Sequence, residues 1–216
     1  MGCGWGPDLN DARKNGLGGL EIRNGVEPFP MFSGLPVWLK ALNEGVDLTA
    51  VGGSDHHQFK PIGLEIGQPT TVVFSDELST PGILRGLNLG HAYIDMLPFN
   101  SRLPHPKITL TAHHNNNEFL MGDHLRVKTG DMITMKFSCE GCQGMLLKLR
   151  SGHDLDHHGF EGAIESQVFS TSFQTHLKEK TTSSKARSWI LAELRDSNGS
   201  LMMITNPIYF SGELTP

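Results

Sequence analysis

The stretch Asp47-Leu48-Thr49-Ala50-Val51-Gly52-Gly53-Ser54-Asp55-His56-His57 constrains this chain more than any other. From Leu48 to Gly53 it carries no charge, which suits a strand buried on both faces in a parallel sheet. It then breaks on two glycines into Asp-x-His. Asp55 and His57 sit two residues apart just past that strand, so both side chains can project from the rim where β/α enzymes gather their chemistry. A carboxylate oxygen and an imidazole nitrogen suit Zn, Mn or Fe. Gly52 and Gly53 allow the backbone to approach a metal or to turn sharply, and Ser54 is placed to orient the Asp55 carboxylate. The plainer alternative is a glycine-rich turn whose Asp and His satisfy backbone groups.

The surrounding hundred residues alternate strand and helix, as a parallel α/β unit does. Gly19 to Gly25 reads as a short strand closing on Asn-Gly, and Pro36 to Gly45 as a helix with Pro in its first turn and Gly as its stop. Trp38, Leu39 and Leu42 form its apolar stripe. Pro69 to Phe74 reads as a second strand, Ser79 to Gly90 as a capped helix, and His91 to Asp95 as a third strand. Glu21 and Asn24 lie on the strand before the motif and are candidates to face the same rim. Otherwise Glu21 pairs with Arg23 or a loop and Asn24 makes the turn. About two βα cycles are visible, against roughly eight in a closed barrel.

After Pro98, Pro104 and Pro106 the periodicity changes to two, which predicts a domain boundary near residue 103. Strands are expected at Lys107 to Thr111, Met132 to Ser138, Met145 to Arg150, Trp189 to Arg195 and Leu201 to Thr205. Turns such as Ser197-Asn198-Gly199 join them into an antiparallel β-sandwich. The expected organisation is thus α/β plus all-β: residues 1–103 as part of a β/α barrel and 104–216 as the sandwich. His153 to Glu165 and Lys178 to Lys185 read as long loops.

Composition removes several function classes. With 18 Lys+Arg against 23 Asp+Glu the formal charge is −5, and no basic tract is present to neutralise phosphates, so nucleic acid is not an expected partner. No stretch reaches the roughly 18 apolar residues of a membrane span, and the amino terminus lacks the charged and apolar regions of a signal peptide. Three cysteines cannot all pair within one chain, so a reducing, cytoplasmic setting is the default. Eleven histidines against two tyrosines raise the expectation of metal chemistry.

Leu20-Glu21-Ile22-Arg23-Asn24-Gly25, the Trp38 to Gly45 helix, Thr49 to His57, Gly67-Gln68-Pro69-Thr70-Thr71-Val72 and Gly90 to Asp95 together resemble PHP (polymerase and histidinol phosphatase) proteins. The nearest branch resembles the CehA/McbA metallohydrolases, and Ser188 to Leu194 with Thr205-Asn206-Pro207-Ile208-Tyr209 is similar to that branch's carboxy-terminal sandwich. The resemblance implies a distorted β/α barrel holding Zn, Mn or Fe ions that activate water to hydrolyse small-molecule phosphoesters or other ester-like bonds. It also implies that Asp55 and His57 are the family's final Asp-x-His ligand pair, with His56 at the variable middle position. Family members open with a His-x-His pair, however, and this sequence has none and no histidine before Asp55. A catalytic site usually needs about three protein ligands per metal. The expectation is therefore the carboxy-terminal part of a longer hydrolase, weak or inactive alone, and prone to self-association through the open edges of its partial barrel. The rival expectation is a non-catalytic remnant whose sandwich is an interaction or saccharide-binding module.

Other constellations read more simply. Cys139-x2-Cys142 followed by His153 and His157 approaches zinc-finger spacing, yet the cysteines fall where a hairpin turn is expected. A disulfide between them is a further alternative. His113-His114-Asn115-Asn116-Asn117 reads as a polar turn, and no phosphate loop or nucleophile elbow is present.

Overall fold

The computed structural model of the chain describes residues 8–25, 33–56, 66–98, 105–128, 130–152, 155–156, 161–177 and 188–212. The fold is mostly β, with several sheets and three short helices among these residues.

A short helix α1 (Leu9–Lys14) that the sequence pattern did not reveal comes first, its Asp8 side chain accepting from the Asn10 amide at 2.8 Å. The next unit follows the expected course. β1 (Gly19–Asn24), α2 (Leu35–Asn43) and β2 (Thr49–Gly53) form a βαβ unit whose two strands pair in parallel. Helix α2 starts beside Pro36 and buries Trp38, Ala41 and Leu42. The Trp38 indole donates to the Leu48 carbonyl at 2.7 Å, which fixes the helix over the start of β2. The ladder shifts register between Glu21 and Arg23, so β1 carries one extra residue opposite Val51–Gly52.

The second predicted cycle departs from expectation. β3 (Thr70–Val73), α3 (Thr80–Leu89) and β4 (Ala92–Asp95) are all present, but β3 and β4 pair antiparallel. Helix α3 is capped by Ser79, which accepts from Gly82 N, and by Gly90 at φ 74°. It does not cross the sheet. His91 N bonds back to Gly86 O and Phe74 N to His91 O, returning the chain to the end of β3 it left. The cause lies in its inner side, which is glycine: a Cβ on Gly86 would stand 2.5 Å from the Phe74 carbonyl oxygen. The large residues Ile83, Leu84 and Leu89 stay exposed, so α3 lacks the docking stripe of a crossover helix.

The remaining strands are β5 (Lys107–His114), β6 (Asn117–Leu120), β7 (His124–Val127), β8 (Ile133–Glu140), β9 (Leu146–Ser151), β10 (Leu155–Asp156), β11 (Glu161–Ala163), β12 (Val168–Leu177), β13 (Ser188–Arg195), β14 (Leu201–Thr205) and β15 (Ile208–Gly212). One sheet has the order β10-β12-β8-β5-β6; the larger runs β11-β9-β13-β14-β4-β3, with β15 on β13 and β7 on β15. The two face each other across one core. Ile108, Leu110, Ile133, Met135 and Phe137 from the first sheet meet Leu147, Leu149, Ile190, Ala192 and Leu194 from the second. Strand β8 shows the strict alternation of a one-sided strand, whereas β13 is buried on both faces. Its Trp189 and Leu191 join Ile22, Trp38, Leu42 and Leu48 in a second core, so the β1-α2-β2 layer packs on the back of the larger sheet.

β4 pairs with β14. Two details differ from the sequence reading. β10 and β11 lie within the stretch read as a loop from His153 to Glu165, while 178–187 is outside the described residues. The Cys139–Cys142 turn is not a hairpin, because β8 and β9 belong to opposite sheets and the chain crosses between them. The polar turn read at His113–Asn117 narrows to Asn115 and Asn116, which take positive φ as asparagine does readily, while His113 and His114 end β5 and Asn117 starts β6.

Candidate functional site

Because β1 and β2 are parallel, their carboxy-terminal ends open on the same rim. Asn24 is in register with Gly53, and Gly25 N donates to Gly53 O at 2.7 Å. The Glu21 side chain, exposed on β1, is held by Asn24, whose Nδ2 donates to Glu21 Oε2 at 3.0 Å. Its other oxygen lies across Gly53: a Cβ there would stand 2.9 Å from Glu21 Oε1. A glycine at 53 thus leaves the space that this carboxylate occupies. Ser54, half-buried, and Asp55, exposed, follow directly. Asp55 adopts φ 46°, an uncommon conformation for a residue with a side chain. The sequence-predicted residues Glu21, Asn24, Ser54 and Asp55 are therefore brought to one rim, and His57 lies outside the described residues.

Gly52 also serves packing: a Cβ at this position would stand 2.9 Å from Ile94 Cγ2 and 3.0 Å from Pro69 Cγ, so its bareness admits β4 and Pro69. Side chains close the edge of β2 that β1 leaves open. Thr71 Oγ1 donates to Gly52 O at 2.7 Å and accepts from Gly52 N at 2.9 Å. Asn206 accepts from Ala50 N at 2.7 Å and donates to Ala50 O and Ala92 O. With Ala50 beside Ala92 and Gly52 beside Ile94, β2 and β4 run side by side in the same direction.

Sequence reasoning missed a buried carboxylate at the end of β4. The Asp95 side chain is 2% exposed, with Oδ1 accepting from Leu97 N and Oδ2 2.9 Å from His105 Nδ1. The available signal was an acidic residue closing a buried strand. Asp95 also acts on Tyr93, whose hydroxyl donates to the Pro106 carbonyl at 3.2 Å. Burial first, and the Asp95 charge second, push the Tyr93 phenol up to about 12 from 10.0. The unfolded phenol ionises first as pH rises, so this contribution to stability is whole below pH 10 and is lost towards pH 12, by about 2–3 kcal/mol. Urea denaturation at pH 9 and pH 11.5 is expected to show that loss in the wild type and a smaller one in Tyr93→Phe. Equal losses would contradict it.

Cys139 and Cys142 are joined by a disulfide, which uses both sulfurs, and His153 and His157 lie outside the described residues. No helix among the described residues is long and apolar enough to cross a membrane. No group of three His, Cys, Asp or Glu side chains able to hold a metal is gathered among the described residues. The donor types nevertheless suit a divalent cation: the Glu21 carboxylate lies over Gly53, Asp55 follows two residues on, and an imidazole comes two residues later in sequence. No family model matches the chain, and no curated protein matches it significantly.

Proposed function

We propose that the chain is the carboxy-terminal part of a PHP-like, CehA/McbA-type metal-dependent hydrolase of small phosphoesters or related esters, weakly active or inactive alone. The observation that carries this reading is that the Glu21 carboxylate lies over Gly53, two residues before Asp55, on two parallel strands. Asp55 and His57 would hold a Zn, Mn or Fe ion, with Glu21 as a further oxygen donor and Asn24 keeping its carboxylate in place. When bound, the ion supplies Lewis-acid activation of water. The partial barrel of this reading consists of β1, β2 and the neighbouring β4, and the remaining ligands come from outside this chain. Exposed Leu78, Leu84 and Leu89, on and beside α3 at the opposite end of β2 from the rim, support association there with a second copy or with another part of a longer protein.

The saccharide-binding alternative receives less support. Thr109, Lys136, Ser138, Ser170, Ser172 and Gln174 alternate with core residues and form the outer face of the five-stranded sheet. Among the described residues this face offers no aromatic platform for a sugar ring. Dialysis of the purified chain against zinc, followed by metal analysis, tests the hydrolase reading: metal is expected to be retained, and to be lost on Asp55→Ala.

A further inference from the structure

We propose that Thr71 is the positioning residue of this rim, setting the course of the Gly52-Gly53-Ser54-Asp55 segment that presents the Asp55 carboxylate; the inference rests on the metal reading of Asp55 given above. Gly-Gly-Ser is the least constrained backbone in the motif, since glycine loses most freedom on ordering. Something must hold it if Asp55 is to occupy one place. On the β1 side the hold is the backbone bond from Gly25 N to Gly53 O. On the other side no strand backbone among the described residues hydrogen-bonds to Gly52. A single hydroxyl serves instead, with Thr71 Oγ1 both donating to Gly52 O and accepting from Gly52 N.

A hydroxyl performs both roles through one atom; an isosteric valine performs neither. Thr71 is itself fixed by pairing with Ile94 in the β3–β4 ladder, and Ile94 packs into the space Gly52 leaves open. Strand β4 and Thr71 thus hold Gly52 together, one by contact and one by hydrogen bonds, three residues before the ligand. Groups that hold a metal ligand in place through hydrogen bonds typically affect affinity by about 10–100-fold.

The test uses the full chain as wild type, Thr71→Val, Thr71→Ser and Asp55→Asn. Two quantities are measured: zinc affinity, and amide hydrogen exchange of the metal-free protein at Gly52 and Gly53 against the β13 amides. Thr71→Val is expected to weaken zinc binding about tenfold or more and to speed exchange at Gly52 and Gly53 while leaving β13 unchanged. Thr71→Ser is expected to restore both. Wild-type zinc affinity in Thr71→Val, or no recovery in Thr71→Ser, would overturn the positioning role while leaving the metal reading intact. Zinc binding that is absent in the wild type, or unaffected by Asp55→Asn, would overturn the metal reading and the positioning role with it.

Discussion

Replacing Glu193 with alanine is expected to lower stability by about 3 kcal/mol, within the range seen when one partner of a buried ion pair is removed. Glu193 lies in the middle of β13, its side chain fully buried, and both its oxygens are engaged. Oε1 meets Arg150 Nε from the adjacent strand β9, and Oε2 accepts from Arg195 Nε and Nη2 at 2.9 and 2.7 Å. The two arginine side chains are part-exposed, at 37% and 25%, although Arg150 Nε itself is buried; their exposed parts can regain water when the carboxylate goes, which places the loss near the lower end of that range. Glu193→Gln keeps the shape and one acceptor, and is expected to cost less, about 1–2 kcal/mol. Urea denaturation measures both variants. An alanine variant within about 0.5 kcal/mol of wild type, the range of ordinary surface changes, would contradict the account.

Asn206→Ala is expected to cost a similar amount, about 3–4 kcal/mol, for a different reason. The side chain is buried and makes three hydrogen bonds, to the amide and carbonyl of Ala50 and to the carbonyl of Ala92. Ala92 O keeps a second donor in Asn206 N at 3.1 Å. Ala50 loses both partners at the edge of β2, and each buried group left unsatisfied costs about 1–3 kcal/mol. The damage should be local at first: Ala50 and Gly52 amides exchange faster before the main core opens. Denaturation combined with hydrogen exchange checks this, and protection at Ala50 equal to wild type would contradict the role assigned to Asn206.

Much of the fold was legible where burial forces a simple pattern. Thr49–Gly53 and Ser188–Arg195 are uncharged or nearly apolar runs because both their faces are covered, and helix α2 showed its Trp38–Leu42 stripe because it docks on a sheet. The β3–α3–β4 unit misled because its helix packs through Gly82 and Gly86 and leaves its leucines outside, the reverse of the usual pattern. Strand β12 was missed because two of its inward positions are Thr171 and Thr175, which give alternation without apolarity. The disulfide turn looked like a hairpin because sequence shows the turn but not which sheet each flanking strand joins.

The rim was legible only in part. Its chemistry, Glu21 with Asn24 and the strand end at Asp55, could be read from residue types and strand ends. Its supports could not. Thr71 and Asn206 lie 19 and 156 residues from the backbone groups they bind, and no local pattern encodes such a bond. Asp95 and His105 are ten residues apart across a proline-rich stretch, beyond the reach of helix or strand periodicity.

The most direct test of the hydrolase account is metal stoichiometry of the purified full chain after dialysis against zinc and then against metal-free buffer, for the wild type and for Asp55→Ala/His57→Ala. The account predicts zinc retained by the wild type and removed by the double substitution. Unchanged stoichiometric zinc in the double variant, or none in the wild type, would contradict it.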